Sequence, residues 1–282
     1  MVERRSEVRC GELTFPVRSA GPDDGEPVIL LHGFPQTSQT WSPYLARLAG
    51  AGFRAIAPTQ RGYAAAARPP DVDDYAIDLL VADVLGVADG LGVDRFHLVG
   101  HDWGGVVGWA LAAASPDRLC SLTSVSTPHP RALAWSVWRS FQLARSWYVG
   151  LFQLPKLPER LLTAGNGSLL RRLLRHSGLP DAMIDAYTDA MLQPGAMAAA
   201  INYYRASRLS GTVAVGRITV PTLYVWSTHD TALGPVAARA TERQVDAPYR
   251  FEVLDGVSHW IPETRLEELS ALLLAHVRAH SC

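Results

Sequence analysis

Gly100-His101-Asp102-Trp103-Gly104-Gly105 sets a carboxylate on what reads as a sharp strand-to-helix turn. The run Arg95–Gly100 predicts a buried strand before it, and Trp103–Ala114, rich in Ala, Val, Leu and Trp, predicts a helix after it. Small residues at 100, 104 and 105 are what such a turn needs, because a β-carbon there would strike neighbouring backbone. The turn lifts Asp102 into a cleft as a nucleophile that is already ionised at neutral pH. The competing reading is a helix cap flanked by glycines, since Asp is a preferred N-cap. A cap needs no companions, whereas a nucleophile does, and residues able to serve as such companions follow in the chain order acid, then histidine.

The elements that must position these groups alternate. Gly11–Val17, Pro27–Leu31, Arg54–Ala57, Leu119–Val125, Val220–Trp226 and Phe251–Leu254 read as further strands. Thr40–Ala49, Tyr75–Leu91 and Glu263–Arg278 read as helices. Such alternation predicts an α/β fold, a mostly parallel sheet with helices on both faces and active residues at the carboxyl ends of the strands. From about Thr127 to Gly216 the alternation stops, and helix-like segments are separated by Pro155, Pro158, Gly165-Asn166-Gly167, Gly178, Pro180 and Pro194-Gly195. That stretch is too long for a connection, so it predicts an inserted helical lid. The expected division is a core of residues 1–127 and 217–282 with a helical cap domain at 128–216.

Composition sets outer limits. A chain of 282 residues, 48% hydrophobic and with formal charge −1, is long enough for one large domain or one domain with an insertion. The charge gives no electrostatic case for nucleic acid. Arg171-Arg172-Leu173-Leu174-Arg175-His176 reads as the solvated face of an amphipathic helix. Cys10, Cys120 and Cys282 are scattered without metal-like spacing, which suits a reducing cytoplasm. The N-terminus lacks a signal-like apolar stretch, and no segment approaches the ~20 apolar residues of a membrane helix, so a cytoplasmic protein without membrane partners is expected. Oligomeric state is not legible.

Taken together, the motifs resemble those of the α/β-hydrolases, and within them the epoxide hydrolase branch, across essentially the whole chain. His32-Gly33-Phe34-Pro35 matches that family's His-Gly-X-Pro loop. The resemblance implies a cis Phe34-Pro35 bond and an oxyanion-hole donor at the Phe34 N–H. Two fixed amides can stabilise an oxyanion in a dry cleft by several kcal/mol, and Trp103, next to the nucleophile at a helix N-terminus, is the natural second donor. The resemblance makes His259, in Gly256–Pro262, the base and Asp230 the acid that orients it. His229 competes for the base, but it adjoins Asp230, and sequence neighbours rarely face each other productively.

Two lid tyrosines distinguish among chemistries. Ser146-Trp147-Tyr148 and Asn202-Tyr203-Tyr204-Arg205 resemble the segments that carry the family's tyrosine pair, which makes Tyr148 and Tyr204 the pair here. Tyr203, displaced by about 100° on a helix, should point elsewhere. Phenols can hydrogen-bond an epoxide oxygen and deliver a proton as the ring opens. His32, Pro35, Phe152 and Trp260 are expected around an apolar pocket. One departure from the family is the loop Thr59-Gln60-Arg61-Gly62-Tyr63, followed by Ala64-Ala65-Ala66 in place of Gly-X-Ser.

The resemblance thus implies an epoxide hydrolase acting through a covalent Asp102 ester, with water and epoxide as reactants and no metal or organic cofactor. A haloalkane dehalogenase would share Asp102, His259 and Asp230 but would hold halide with two N–H donors, and Phe34 has no side-chain amide. A ligand-binding receptor would have no need of all five catalytic candidates.

Overall fold

The computed structural model describes residues 2–209 and 215–282. Among them, eight strands form one sheet: β1 (Arg4–Cys10), β2 (Leu13–Ala20), β3 (Pro27–Leu31), β4 (Arg54–Pro58), β5 (Phe96–His101), β6 (Leu119–Val125), β7 (Thr222–Ser227) and β8 (Tyr249–Leu254). Across the sheet the order is β1-β2-β4-β3-β5-β6-β7-β8. β2 is antiparallel to β1 and β4, and every other pairing is parallel.

Helices α1 (Ser42–Gly50), α2 (Ile77–Gly90) and α3 (Trp103–Ala114) follow β3, β4 and β5. Between β6 and β7 come α4 (Pro130–Val137), α5 (Gln142–Arg145), α6 (Trp147–Phe152), α7 (Leu157–His176), α8 (Asp181–Leu192) and α9 (Ala196–Leu209). The remaining helices are α10 (Pro235–Ala240), α11 (Ile261–Thr264) and α12 (Leu266–Ala279). α7 is interrupted where Gly165, Asn166 and Gly167 all take left-handed conformations.

Side-chain alternation on the buried strands explains the layering. Ile29 and Leu31 of β3 pack with Val84 of α2 and Val107 and Leu111 of α3, whereas Val28 and Leu30 pack with Leu45 of α1 and Leu269 and Leu273 of α12. Each such side chain withdrawn from water contributes ~1.5–3 kcal/mol, so a one-residue slip of β3 would mismatch both layers at once.

Three features differ from the sequence reading. β1 was not legible, because Arg4-Arg5-Ser6-Glu7 is exposed at the sheet edge and only Val8 is buried, which leaves no hydrophobic period. The expected C-terminal helix from Glu263 is broken at Arg265, whose backbone is non-helical (φ −131°, ψ 49°), into α11 and α12. Cys120 and Cys282, read as scattered thiols, form a disulfide across 162 residues, with Cα atoms 5.0 Å apart. The cysteine-based reason for expecting a reducing compartment therefore falls, because pairing depends on tertiary proximity rather than spacing. Among the described residues no helix is long and apolar enough to cross a membrane.

The divergent loop after β4 is held by a buried ion pair. Arg61 Nε and Nη2 donate to Asp83 Oδ2 and Oδ1 at 2.6 and 2.7 Å, and Nη1 donates to the Asp74 carbonyl at 2.9 Å. Burial pushes the Asp83 carboxyl up, and the Arg61 guanidinium only partly offsets it. The pair therefore positions the loop more than it stabilises the fold. Removing one partner, as in Asp83→Leu, should cost about 3–5 kcal/mol because it leaves Arg61 buried and uncompensated, whereas Arg61→Met with Asp83→Leu should recover most of that loss. Urea unfolding of the single and double variants measures both.

Candidate active site

Asp102 stands between β5 and α3 with φ 52° and ψ −120°, a left-handed conformation that costs a non-glycine residue about 1–3 kcal/mol. Close packing enforces it. A β-carbon at Gly100 would meet the Gly104 carbonyl, and one at Gly104 would meet the carbonyls of Leu31 and His32. The Asp102 carbonyl is fixed by Gly105 N–H (2.9 Å), Val106 N–H (3.1 Å) and the Thr127 hydroxyl (2.9 Å). Its side chain makes no capping bond to α3, so the helix-cap reading fails for this residue.

The carboxylate instead faces two groups. Phe34 N–H donates to Oδ1 at 2.7 Å, and His259 Nε2 lies 3.7 Å from Oδ2, an ion-pair distance too long for a hydrogen bond. The Phe34-Pro35 peptide is cis, as the resemblance implies. Trp103 N–H opens α3 beside the carboxylate, but no bond joins them in this resting arrangement.

His259 Nδ1 bonds Asp230 Oδ2 at 2.8 Å. Asp230 is itself anchored, because its Oδ1 accepts the N–H groups of Ala232 (2.8 Å) and Leu233 (2.9 Å). Gln142 of α5 braces the same loop through the Ala232 carbonyl (2.7 Å) and Gly234 N–H (2.9 Å), and Arg145 donates to the Asp230 carbonyl. His229, the rival base, is exposed, and its backbone bonds Val257.

Electrostatics follow from this burial. Burial opposes charge on His259, but Asp230 and Asp102 together raise it to about 10. Burial likewise opposes charge on Asp102, and His259 and the Phe34 N–H outweigh it, leaving the carboxyl below its ordinary range. The resting pair is therefore carboxylate and imidazolium. Neighbouring His101 is pushed down to about 3 by burial and by the His259 charge; its Nδ1 lies 2.9 Å from Gln36 Oε1 and its Nε2 3.0 Å from the His259 carbonyl, and the neutral ring donates to one of these two acceptors.

A cavity of about 400 Å³ opens on Asp102 and His259. Tyr148, Tyr204, Phe34, Pro35, Phe152 and Trp260 line it, along with leucines of α7. The Tyr148 and Tyr204 rings meet edge-to-face at 5.9 Å. Burial first, then the Asp102 charge, raises both phenols far above their ordinary range, so both remain protonated donors. Tyr203 turns away and donates to the Arg61 carbonyl at 2.7 Å.

His32 is the exception among the expected pocket residues. It lies fully buried beneath the loop, where its Nδ1 contacts the Gly33 carbonyl and its Nε2 accepts Gln60 N–H, and it does not reach the cavity. Burial lowers it to about 4, so it is a neutral brace for the loop that presents Phe34.

Two residues not singled out in the sequence hold the tyrosines together. Gln153 donates to the Tyr204 carbonyl at 3.2 Å. Arg205 donates to the carbonyls of Phe152 (3.0 Å) and Leu154 (2.8 Å) and pairs with Glu159 at 2.6 Å. Their only sequence signal is adjacency to the tyrosine motifs.

Residues 26–266 match the family described as alpha/beta hydrolase fold. The chain is 34% identical over 279 residues to the AB hydrolase superfamily protein YfhM of Bacillus subtilis, covering 96% of each. It is 30% identical to epoxide hydrolase A of Mycobacterium tuberculosis, covering 93% of this chain and 94% of that one. The solved structure of epoxide hydrolase A from Mycobacterium thermoresistibile is similar over 98% of both chains, with TM-score 0.84 and 25% identity.

The two carboxylates give His259 a checkable titration. Because its folded value lies above that of a free imidazole, its stabilising contribution is complete below a pH of about 6.5 and is lost as pH rises through about 10. Asp102→Asn removes one of the two charges and should lower the His259 value by about 1–3 pH units. Titration of the His259 ring protons by nuclear magnetic resonance measures this, and an unchanged value would mean that Asp102 does not share the imidazolium.

Proposed function

We propose that this chain, which belongs to the epoxide hydrolase family of the α/β-hydrolase superfamily, converts an apolar epoxide to a vicinal diol through a covalent ester of Asp102. The observation that carries the reading is a carboxylate with its two oxygens shared between the Phe34 N–H and a charged His259, beneath two protonated phenols. Residues 128–216 serve in this reading as the cap that supplies the phenols.

An Asp102 oxygen attacks an epoxide carbon and forms the ester bond as the ring C–O bond breaks. The departing oxygen takes a proton from Tyr148 or Tyr204. Ester formation neutralises Asp102, so His259 loses one of the two charges that raised it and its proton becomes available to the tyrosinate. His259 is then the neutral base that the second half requires.

Water next attacks the Asp102 carbonyl carbon while His259 Nε2 takes one of its protons, with Asp230 holding the imidazolium that forms. Phe34 N–H is already aimed at the oxygen that becomes the oxyanion, and Trp103 N–H is adjacent. Collapse breaks the ester bond, and the diol oxygen takes the proton of the new carboxyl group. Asp102 returns as a carboxylate beside a charged His259, and protons balance without a cofactor.

The half-reactions separate by mutation. His259→Gln should open epoxide once per active site and stall, giving intact-protein mass plus one substrate, with the addition in the peptide containing Asp102. Normal turnover by that variant would sink the mechanism. Replacing Tyr148 or Tyr204 by Phe should raise the alkylation barrier by about 1.5–3 kcal/mol, and replacing both should nearly abolish alkylation, as read by stopped-flow single turnover.

A further inference from the structure

The segment from α4 to the start of α7 carries large apolar side chains that the fold leaves uncovered. Trp138 is 83% exposed, Phe141 85%, Leu143 59% and Trp147 58%, with Leu154 and Leu157 also exposed. Scattered surface leucines are ordinary, but a run of aromatics this open marks a contact surface. It is continuous with the candidate active site, because Trp147, Leu161 and Leu173 are both exposed and part of the cavity lining.

The charge of the segment is one-sided. No Asp or Glu occurs between Asp117 and Glu159, whereas Arg131, Arg139, Arg145 and Lys156 all fall within the exposed stretch. Arg131, Arg139 and Lys156 are exposed, and among the described residues none of the three pairs with a carboxylate. The Arg139 guanidinium lies over the Trp135 ring at 4.8 Å. Within α7, Arg171 pairs with Asp185 and Asp189, and Arg175 with Asp181, whereas Arg160 and Arg172 are exposed and, among the described residues, pair with no carboxylate.

We infer that this segment docks the enzyme on an anionic phospholipid surface, with the cavity mouth against the bilayer. Exposed Trp, Phe and Leu interleaved with unpaired cations suit the headgroup boundary, where rings enter the acyl region and cations meet lipid phosphates. Among the described residues no helix is long and apolar enough to cross a membrane, but lying on a surface makes no such demand. A second copy of this chain fits less well, because a two-fold contact would bring the same unpaired cations together. The benefit to catalysis, direct uptake of apolar epoxide from lipid, rests on the function proposed above, whereas the binding itself does not.

The test is co-sedimentation of the full chain with vesicles of phosphatidylcholine alone and of phosphatidylcholine mixed with phosphatidylglycerol. Binding should require phosphatidylglycerol and weaken as salt is raised. Trp138→Ser with Phe141→Ser should reduce partitioning at least about tenfold, and Arg139→Glu with Lys156→Glu should act in the same direction. Unchanged circular dichroism and unfolding midpoint would show that the variants are folded, and none of the four residues lines the cavity. No binding by the parent, or equal binding to neutral vesicles, overturns the inference. So does a concentration-dependent dimer that Trp138→Ser with Phe141→Ser abolishes in a chain that ignores vesicles, which would assign the face to a second copy.

Discussion

A single backbone conformation, Asp102 at φ 52°, is the constraint on which the site depends. It projects the carboxylate out of the sheet instead of along α3, and it persists because glycines at 100 and 104 let strand, turn and helix approach closely enough to hold it. Gly33 belongs to the same arrangement, since a β-carbon there would collide with the Asp102 side chain. Strain of this size is small beside the burial of the surrounding core, yet it determines which atoms the carboxylate can meet.

Once the carboxylate is placed, charge organises what surrounds it. One imidazole lies between two carboxylates, Asp230 fixed by backbone amides and Asp102 facing the cavity. In the proposed mechanism that asymmetry would make His259 sensitive to the chemical state of Asp102, because converting one carboxylate into a neutral ester withdraws part of what holds the proton. In that mechanism the histidine would alternate between charged partner and base without a conformational change.

The phenols depend on longer-range contacts. Tyr148 lies on α6 and Tyr204 on α9, and they share one cavity because Arg205 and Gln153 stitch the two helices through backbone carbonyls. The other side of α9 is tied to the sheet domain by Tyr203, whose hydroxyl meets the Arg61 carbonyl, and Arg61 is held in turn by Asp83. A loop that departs from the family pattern thus helps to support the helix that carries a proposed acid.

Much of this was legible in sequence because it is local. Periodicity gave β3, β6 and α3 at their observed boundaries, and glycine spacing gave the elbow, since both signals are short-range consequences of backbone geometry. The family resemblance, with the chain order of Asp102, Asp230 and His259, identified the candidates, but not that Nδ1 of His259 would face Asp230 or that its charge would be shared. Those facts, like the Cys120–Cys282 disulfide, the retreat of His32 from the cavity and the clamps of Arg205, arise from residues far apart in the chain. Sequence alone determined which chemistry the residues could perform. Tertiary structure decided which of them meet, because burial, distance and the resulting protonation states depend on packing that no local pattern encodes.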